Sequence, residues 1–137
     1  MEIEYLSKFK VENGNYISKV YTFNPPKVCF KLRKERLYTL IMMDPDAEGG
    51  NKIHWLITNF TYDFAKKPGN TILPYVGPHP PKTDGEHRYY FLLIKQKKPA
   101  KVVPLNPQNR LIALQDLFQI LDLDGTILER KFFKSHA

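Results

Sequence analysis

A mainly β fold with a minor α component is predicted by three features of the 137-residue chain. Short runs of alternating apolar residues recur along it, turn sequences separate them, and one run alone has helical spacing. Tyr16–Phe23 alternates after Asn13-Gly14-Asn15 and is stopped by Asn24-Pro25-Pro26, so it reads as a strand. Val28, Phe30 and Leu32 alternate with Cys29, Lys31 and Arg33, which predicts a half-buried strand with one basic face. Leu37–Met43 is apolar almost throughout, as a strand covered on both faces should be, and it runs into Asp44-Pro45-Asp46. Ile53–Phe60, Thr71–Val76 and Arg88–Lys95 are further strands, the second punctuated by Pro74. Leu111, Leu114, Phe118 and Leu121, with Leu117 beside them, share one helical face between Asn106-Pro107 and the Asp122–Gly125 stop. Pro74, Pro78, Pro80 and Pro81 specify a stiff loop, because each fixes its own φ and restricts its predecessor.

The length fits a single domain, 1–137, and a 42% hydrophobic, 26% charged composition is that of a globular chain. Cys29 is the only cysteine, which excludes an internal disulfide and an all-cysteine metal site. No run is long and apolar enough to span a bilayer as a helix. Met1-Glu2-Ile3-Glu4 is acidic where a secretory signal is basic, so a cytoplasmic location is expected. The net charge of +7 raises the possibility of nucleic-acid binding, but its distribution is uneven. Residues 1–36 hold eight basic and four acidic groups, residues 37–90 five and six, and residues 91–137 eight and four. The middle third, slightly acidic, contains His54, His79, His87, Asp44 and Asp46, placed at strand ends and beside the rigid loop, where polar groups can converge. The basic clusters Lys31–Arg36 and Lys95–Lys101 read first as edges that lysines protect against strand pairing.

The segment Leu37–Ala47 containing Asp-Pro-Asp-Ala, followed by His54-Trp55, Gly77-Pro78-His79-Pro80-Pro81 and Gly85-Glu86-His87-Arg88-Tyr89, resembles the phosphatidylethanolamine-binding protein family. The resemblance covers roughly residues 20 to 135 and is strongest between Leu37 and Phe91. It implies a large central β-sheet, a smaller second sheet, one or two peripheral helices and a small anion-binding cavity. By motif matching, Asp44, Asp46, His54, Pro80, Pro81, His87 and Tyr89 would line or support that cavity. His54, His87 and Tyr89 are then expected to donate hydrogen bonds to an anion, with Asp44 orienting a histidine.

Three departures from the family pattern stand out. Glu48 replaces a proline, and the connection from Glu48 to Ile53 is short. His79 occupies the variable position of Gly-Pro-x-Pro-Pro, where exposure without a role is expected. The sequence runs to Ala137 and shows no counterpart of the long C-terminal helix of animal members, so ligand selectivity and regulated partner binding carried by that helix are not expected to carry over from the resemblance.

The function implied is a non-enzymatic module that binds a small anion or phosphorylated headgroup and modulates a kinase or protease, with no cofactor and no metal. A metal-assisted hydrolase using the Asp/His pocket and a basic nucleic-acid-binding module are the alternatives. Contact of the lysines with an anionic membrane is a further one, for which no amphipathic basic helix is at hand. Against the hydrolase, the chain has no local metal-ligand spacing, and Ser7, Ser18 and Ser135 lie far from the motifs in sequence.

Overall fold

The computed structural model describes residues 1–137. Nine strands form two sheets: β1 (Glu2–Tyr5), β2 (Phe9–Lys10), β3 (Asn15–Tyr16), β4 (Lys27–Cys29), β5 (Leu37–Asp44), β6 (Lys52–Phe60), β7 (Asn70–Leu73), β8 (His87–Gln96) and β9 (Gly125–Ser135). The large sheet has the order β3-β9-β8-β5-β6-β7, antiparallel except for the β3–β9 edge, and the small sheet has the order β2-β1-β4. One α-helix, α1 (Leu114–Ile120), and a 3-10 turn at Lys19–Tyr21 complete the chain. No helix is long and apolar enough to cross a membrane.

Strand alternation explains the two layers. Tyr38, Leu40 and Met42 of β5 and Tyr89, Phe91 and Leu93 of β8 point to one face, where they pack with Ile3 and Tyr5 of the small sheet. Ile41 of β5 and Leu92 and Ile94 of β8 point to the other face and meet Leu117 of α1 and the following Leu121. β5 is therefore buried on both sides, as its unbroken apolar run predicts.

Four expected elements differ from the structure. Tyr16–Phe23 is not a strand: pairing with β9 ends after Ile17 N–H donates to the Lys134 carbonyl, and the chain then turns. Val20 and Phe23 are exposed, so the alternation there marks no buried face. The Val28–Leu32 strand stops at Cys29, opposite Glu2 where the β1 ladder ends, although Phe30 and Leu32 still pack on the core. Thr71–Val76 shortens to β7 because Pro74 has no N–H to continue the ladder. The helix begins at Leu114 rather than Leu111, which instead forms a bridge with Lys52.

The register gives the large sheet two distinct ends. Asp44, Lys52 and His87 lie at one end, and Leu37, Phe60 and Gln96 lie at the other. The proline-rich segment 74–81 covers the first end and is pinned there. Tyr75 Oη donates to the Thr22 carbonyl at 2.6 Å and is 2.8 Å from Tyr5 Oη. Gly77 lies so close to Thr22 that a Cβ would stand 2.6 Å from its carbonyl oxygen, so no larger residue fits without displacing this wall.

Candidate functional site

At the end of the sheet marked by Asp44 and His87, a cavity of about 600 Å³ opens between the proline loop and residues 107–111. His54 enters it through a break in the ladder. Met42 pairs with Trp55 and Met43 pairs with Ile53, so His54 is the extra residue of a β-bulge, the irregularity that re-aims a side chain. The His54 carbonyl accepts from Val76 N–H at 2.9 Å and from Arg110 Nη1 at 3.2 Å.

The His54 tautomer follows from its neighbour. Nδ1 lies 2.7 Å from the Val76 carbonyl, which can only accept, so Nδ1 carries the proton. Nε2 is buried, has no partner in the protein and is left as a bare acceptor. Burial lowers the pKa to about 4 against the Val76 hydrogen bond, and Lys52 and Arg110 add to the lowering. At neutral pH His54 thus accepts hydrogen bonds from whatever fills the cavity. The donor role expected from the sequence is not available to it.

His87, at the start of β8, is arranged oppositely. Its Nδ1–H donates to Asp44 Oδ2 at 2.7 Å and its Nε2–H to Asp84 Oδ2 at 3.1 Å, so this geometry belongs to an imidazolium. Burial opposes the charge, but the two carboxylates outweigh it and raise the His87 pKa. Asp44 is almost fully buried at the end of β5, and that burial raises its own carboxyl pKa. Its second oxygen accepts from Asp46 N–H at 2.8 Å, which shapes the Asp-Pro-Asp turn.

Tyr89 lies between the histidines, its ring centroid 5.4 Å from that of His54 and 6.4 Å from that of His87. Its hydroxyl is buried without a partner. Burial, and then the nearby Asp44 and Asp46, hold that hydroxyl well above the usual phenol range, so it remains a proton donor.

Of the expected residues, Asp44, His54, Pro80, Pro81, His87 and Tyr89 line this cavity, and Asp46 does not. Asp46 instead grips Arg88, accepting from its Nε at 2.9 Å, its Nη2 at 2.8 Å and its backbone N–H at 2.9 Å. The Arg88 hydrogen bond holds the Asp46 carboxyl below its usual range. This exposed fork braces the Asp-Pro-Asp turn against β8 on the far side of the cavity wall. His79 and Glu48 are exposed at the rim.

Sequence reasoning missed Arg110. Its guanidinium is buried without a carboxylate partner, held by backbone carbonyls alone: Nε donates to Pro107, and Nη1 to Ile53, His54 and Pro74. Nη2 makes no hydrogen bond, and the residue lines the cavity together with Lys52. An arginine at the end of a polar turn carries no signal of this role, because its partners are a carbonyl of its own turn and carbonyls from two distant segments. Asp84 was missed for the same kind of reason: only the fold of 81–86 brings it back to His87. The site therefore combines one buried cation without a carboxylate partner, one buried hydroxyl donor and one obligate acceptor, with Lys52 also in the lining and an imidazolium whose outer N–H is already taken by Asp84. No cluster of side chains has the arrangement of a metal site.

Residues 7–123 match the phosphatidylethanolamine-binding protein family. The chain is 34% identical over 93 residues to Protein MOTHER of FT and TFL1 homolog 2 of Oryza sativa, covering 64% of this chain and 52% of that protein. It is 29% identical over 137 residues to the carboxypeptidase Y inhibitor of Saccharomyces cerevisiae, covering 72% and 63%. It therefore spans less than two thirds of the length of either relative. Its fold superposes on the crystal structure of carboxypeptidase Y inhibitor complexed with the cognate proteinase, with TM-score 0.78 and 23% identity over 99% of this chain and 82% of that one. It also superposes on the phosphatidylethanolamine-binding protein from Plasmodium vivax, with TM-score 0.74 and 22% identity over 98% and 83%. The two-sheet architecture and these matches agree, and the chain belongs to the phosphatidylethanolamine-binding protein family.

Proposed function

We propose that this protein is a non-enzymatic regulatory module that binds a singly protonated phosphoryl group in the cavity between His54, Tyr89 and Arg110. The observation that carries this reading is the convergence of three groups: two unpartnered buried atoms, the His54 Nε2 lone pair and the Tyr89 hydroxyl, and the buried Arg110 guanidinium, which has carbonyl partners but no carboxylate. Buried polar groups without partners are costly, and a ligand that satisfies both and meets the cation offsets that cost.

A phosphate monoester in its monoanionic form does so. Its P–OH donates to His54 Nε2, and its anionic oxygens accept from Tyr89 and Arg110. A dianion has no proton for His54, and a phosphodiester has no P–OH to supply one. Asp84 competes with the ligand for His87, since its carboxylate already holds the Nε2–H that another phosphate oxygen would accept. Modest affinity follows from that competition.

The hydrolase alternative lacks support in the geometry. Ser135 does stand opposite His87 in the β8–β9 ladder, closer than the sequence suggests. Its hydroxyl is buried and unpartnered, however, and His87 Nε2 is turned to Asp84, so no nucleophile is bonded to a base. A protein partner of the protease class is supported by the carboxypeptidase Y inhibitor among the relatives.

The test is nuclear magnetic resonance of the imidazole nitrogens during titration with phosphorylethanolamine. The His54 Nε2 resonance should move in the direction of hydrogen-bond acceptance, and the His87 resonances should move as Asp84 is displaced. Unchanged resonances at millimolar ligand would refute the phosphoryl reading.

A further inference from the structure

The end of the large sheet opposite the cavity gathers the positive charge. Three segments leave or approach the sheet there: 31–36 before Leu37, 61–69 after Phe60 and 97–101 after Gln96, with 122–124 beside the last. Together they carry nine basic and four acidic side chains, a net +5 of the +7 of the whole chain. Two of the cations are paired, Lys98 with Asp122 at 2.8 Å and Lys97 with Asp124 at 4.0 Å. The other seven are exposed and have no ion-pair partner. At the cavity end, the connections 45–51 and 74–86 are net acidic. The molecule is thus electrically polar along its strands.

This pole also presents apolar surface. Tyr62 and Phe64 project from the 61–69 segment and are 46% and 45% exposed. Lys34 Nζ lies 5.7 Å from the Tyr62 ring centroid, so cation and aromatic form one surface. Phe64 meets Phe30 edge to face at 6.1 Å, and Phe30 in turn lies 5.3 Å from Phe60. These rings wall a groove of about 270 Å³ that continues over Val28, Leu40 and Ile57 toward Trp55.

We propose that the basic pole is a docking surface for an anionic lipid membrane, with the exposed lysines and arginines on the headgroups and Tyr62, Phe64 and the adjoining groove taking up hydrocarbon. Each cation near an anionic bilayer contributes attraction that salt screens, and exposed aromatic rings insert at the boundary between headgroups and acyl chains. A nucleic acid would use the same cations, but it needs polar groups for base edges, and of the groove-lining side chains only Thr71 and Trp55 carry one. Flexible hydrocarbon suits the groove better. Docking by this pole leaves the cavity on the side facing away from the bilayer, free for a soluble phosphoryl ligand or a protein partner. The inference does not depend on what the cavity binds.

The experiment is co-sedimentation of the intact protein with vesicles of phosphatidylcholine alone and with about 30% phosphatidylserine. Wild type should bind only the anionic vesicles, and binding should fall steeply with added salt. The Lys66→Glu/Lys67→Glu double variant should lose at least about tenfold in partitioning. Phe64→Ser should lose several-fold without a change in the salt dependence. All three substituted residues are exposed, and an unchanged Trp55 fluorescence melting midpoint verifies folding. His87→Ala should bind vesicles as wild type does. Equal binding to both vesicle types, unaffected binding by the charge and aromatic variants, or loss confined to His87→Ala would each overturn the proposal. So would tight binding of a single-stranded RNA oligomer by a protein that ignores the anionic vesicles.

Discussion

Acidification should destabilise this protein through His54, and replacing His54 with Asn removes that effect in a measurable way. The folded-state pKa of about 4 lies below the ordinary 6.5 because the ring is buried with Nδ1–H committed to the Val76 carbonyl. Between these values the unfolded chain binds a proton that the folded chain refuses, so stability is complete above pH 6.5 and is lost as pH falls toward 4. At about 1.4 kcal/mol for each tenfold change in proton activity, the loss is about 3 kcal/mol. Two neighbours act in the opposite sense. His87, whose pKa is raised, contributes stability that is full below 6.5 and is lost as pH rises through its folded value. Asp44, also raised, favours the folded state as pH falls through its own folded value. Both are present in wild type and variant, so the difference between the two proteins isolates His54. Urea denaturation followed by the single tryptophan, Trp55, at pH 7, 6, 5 and 4 measures it. Wild type should lose about 3 kcal/mol more than His54→Asn between pH 7 and pH 4. Parallel stability curves would refute a neutral, Nδ1-protonated His54.

Three other substitutions probe the site. Asp84→Ala frees His87 Nε2–H and removes a carboxylate from the anion's vicinity, so calorimetry should show phosphorylethanolamine binding about fivefold tighter, with stability changed by no more than about 1 kcal/mol. Weaker binding would mean that Asp84 helps to hold the ligand. Arg110→Met leaves four carbonyls without their charged donor and should cost about 3 kcal/mol in chemical denaturation, with loss of phosphoryl binding under conditions where the variant remains folded. Arg88→Ala removes an exposed fork to Asp46 and should cost about 1 kcal/mol or less while leaving calorimetric affinity unchanged, because neither residue faces the cavity.

The sheet was legible in the sequence where burial sets the pattern. Leu37–Met43 reads as a doubly covered strand because its neighbours on both faces are apolar, and Arg88–Lys95 reads correctly for the same reason. Tyr16–Phe23 misled because its alternating residues meet solvent and a turn rather than a core, which alternation alone does not reveal. Within the site, the structure brings the motif residues His54, His87 and Tyr89 to one cavity and keeps Tyr89 as the donor expected of it, but it makes His54 an acceptor and turns the outer N–H of His87 to Asp84. His54 becomes an acceptor through a bulge and a carbonyl 22 residues away, features that no local pattern encodes. Asp46 belongs to the same short motif as Asp44, yet it lies beyond the end of β5, where the turn and the bonds to Arg88 hold it out of the cavity. Arg110 is bound only by backbone oxygens, and sequence is blind to such partners. The positive charge shows the same limit. Lys31–Arg36 and Lys95–Lys101 look like separate edges until antiparallel pairing of β5 with β8 brings them to one pole.

The central claim is that the cavity selects a phosphoryl group carrying a proton. It is tested most directly by comparing the affinities of phosphorylethanolamine and its methyl diester, which has no free hydroxyl, by calorimetry from pH 8 to pH 5. Protonation of His87 affects both ligands, but only the monoester gains a P–OH as pH falls through its second ionisation near 6. The preference for the monoester should therefore grow as pH falls, and it should vanish in His54→Asn. A diester that binds as tightly as the monoester throughout, or a preference that is greatest at pH 8, would contradict the acceptor role assigned to His54.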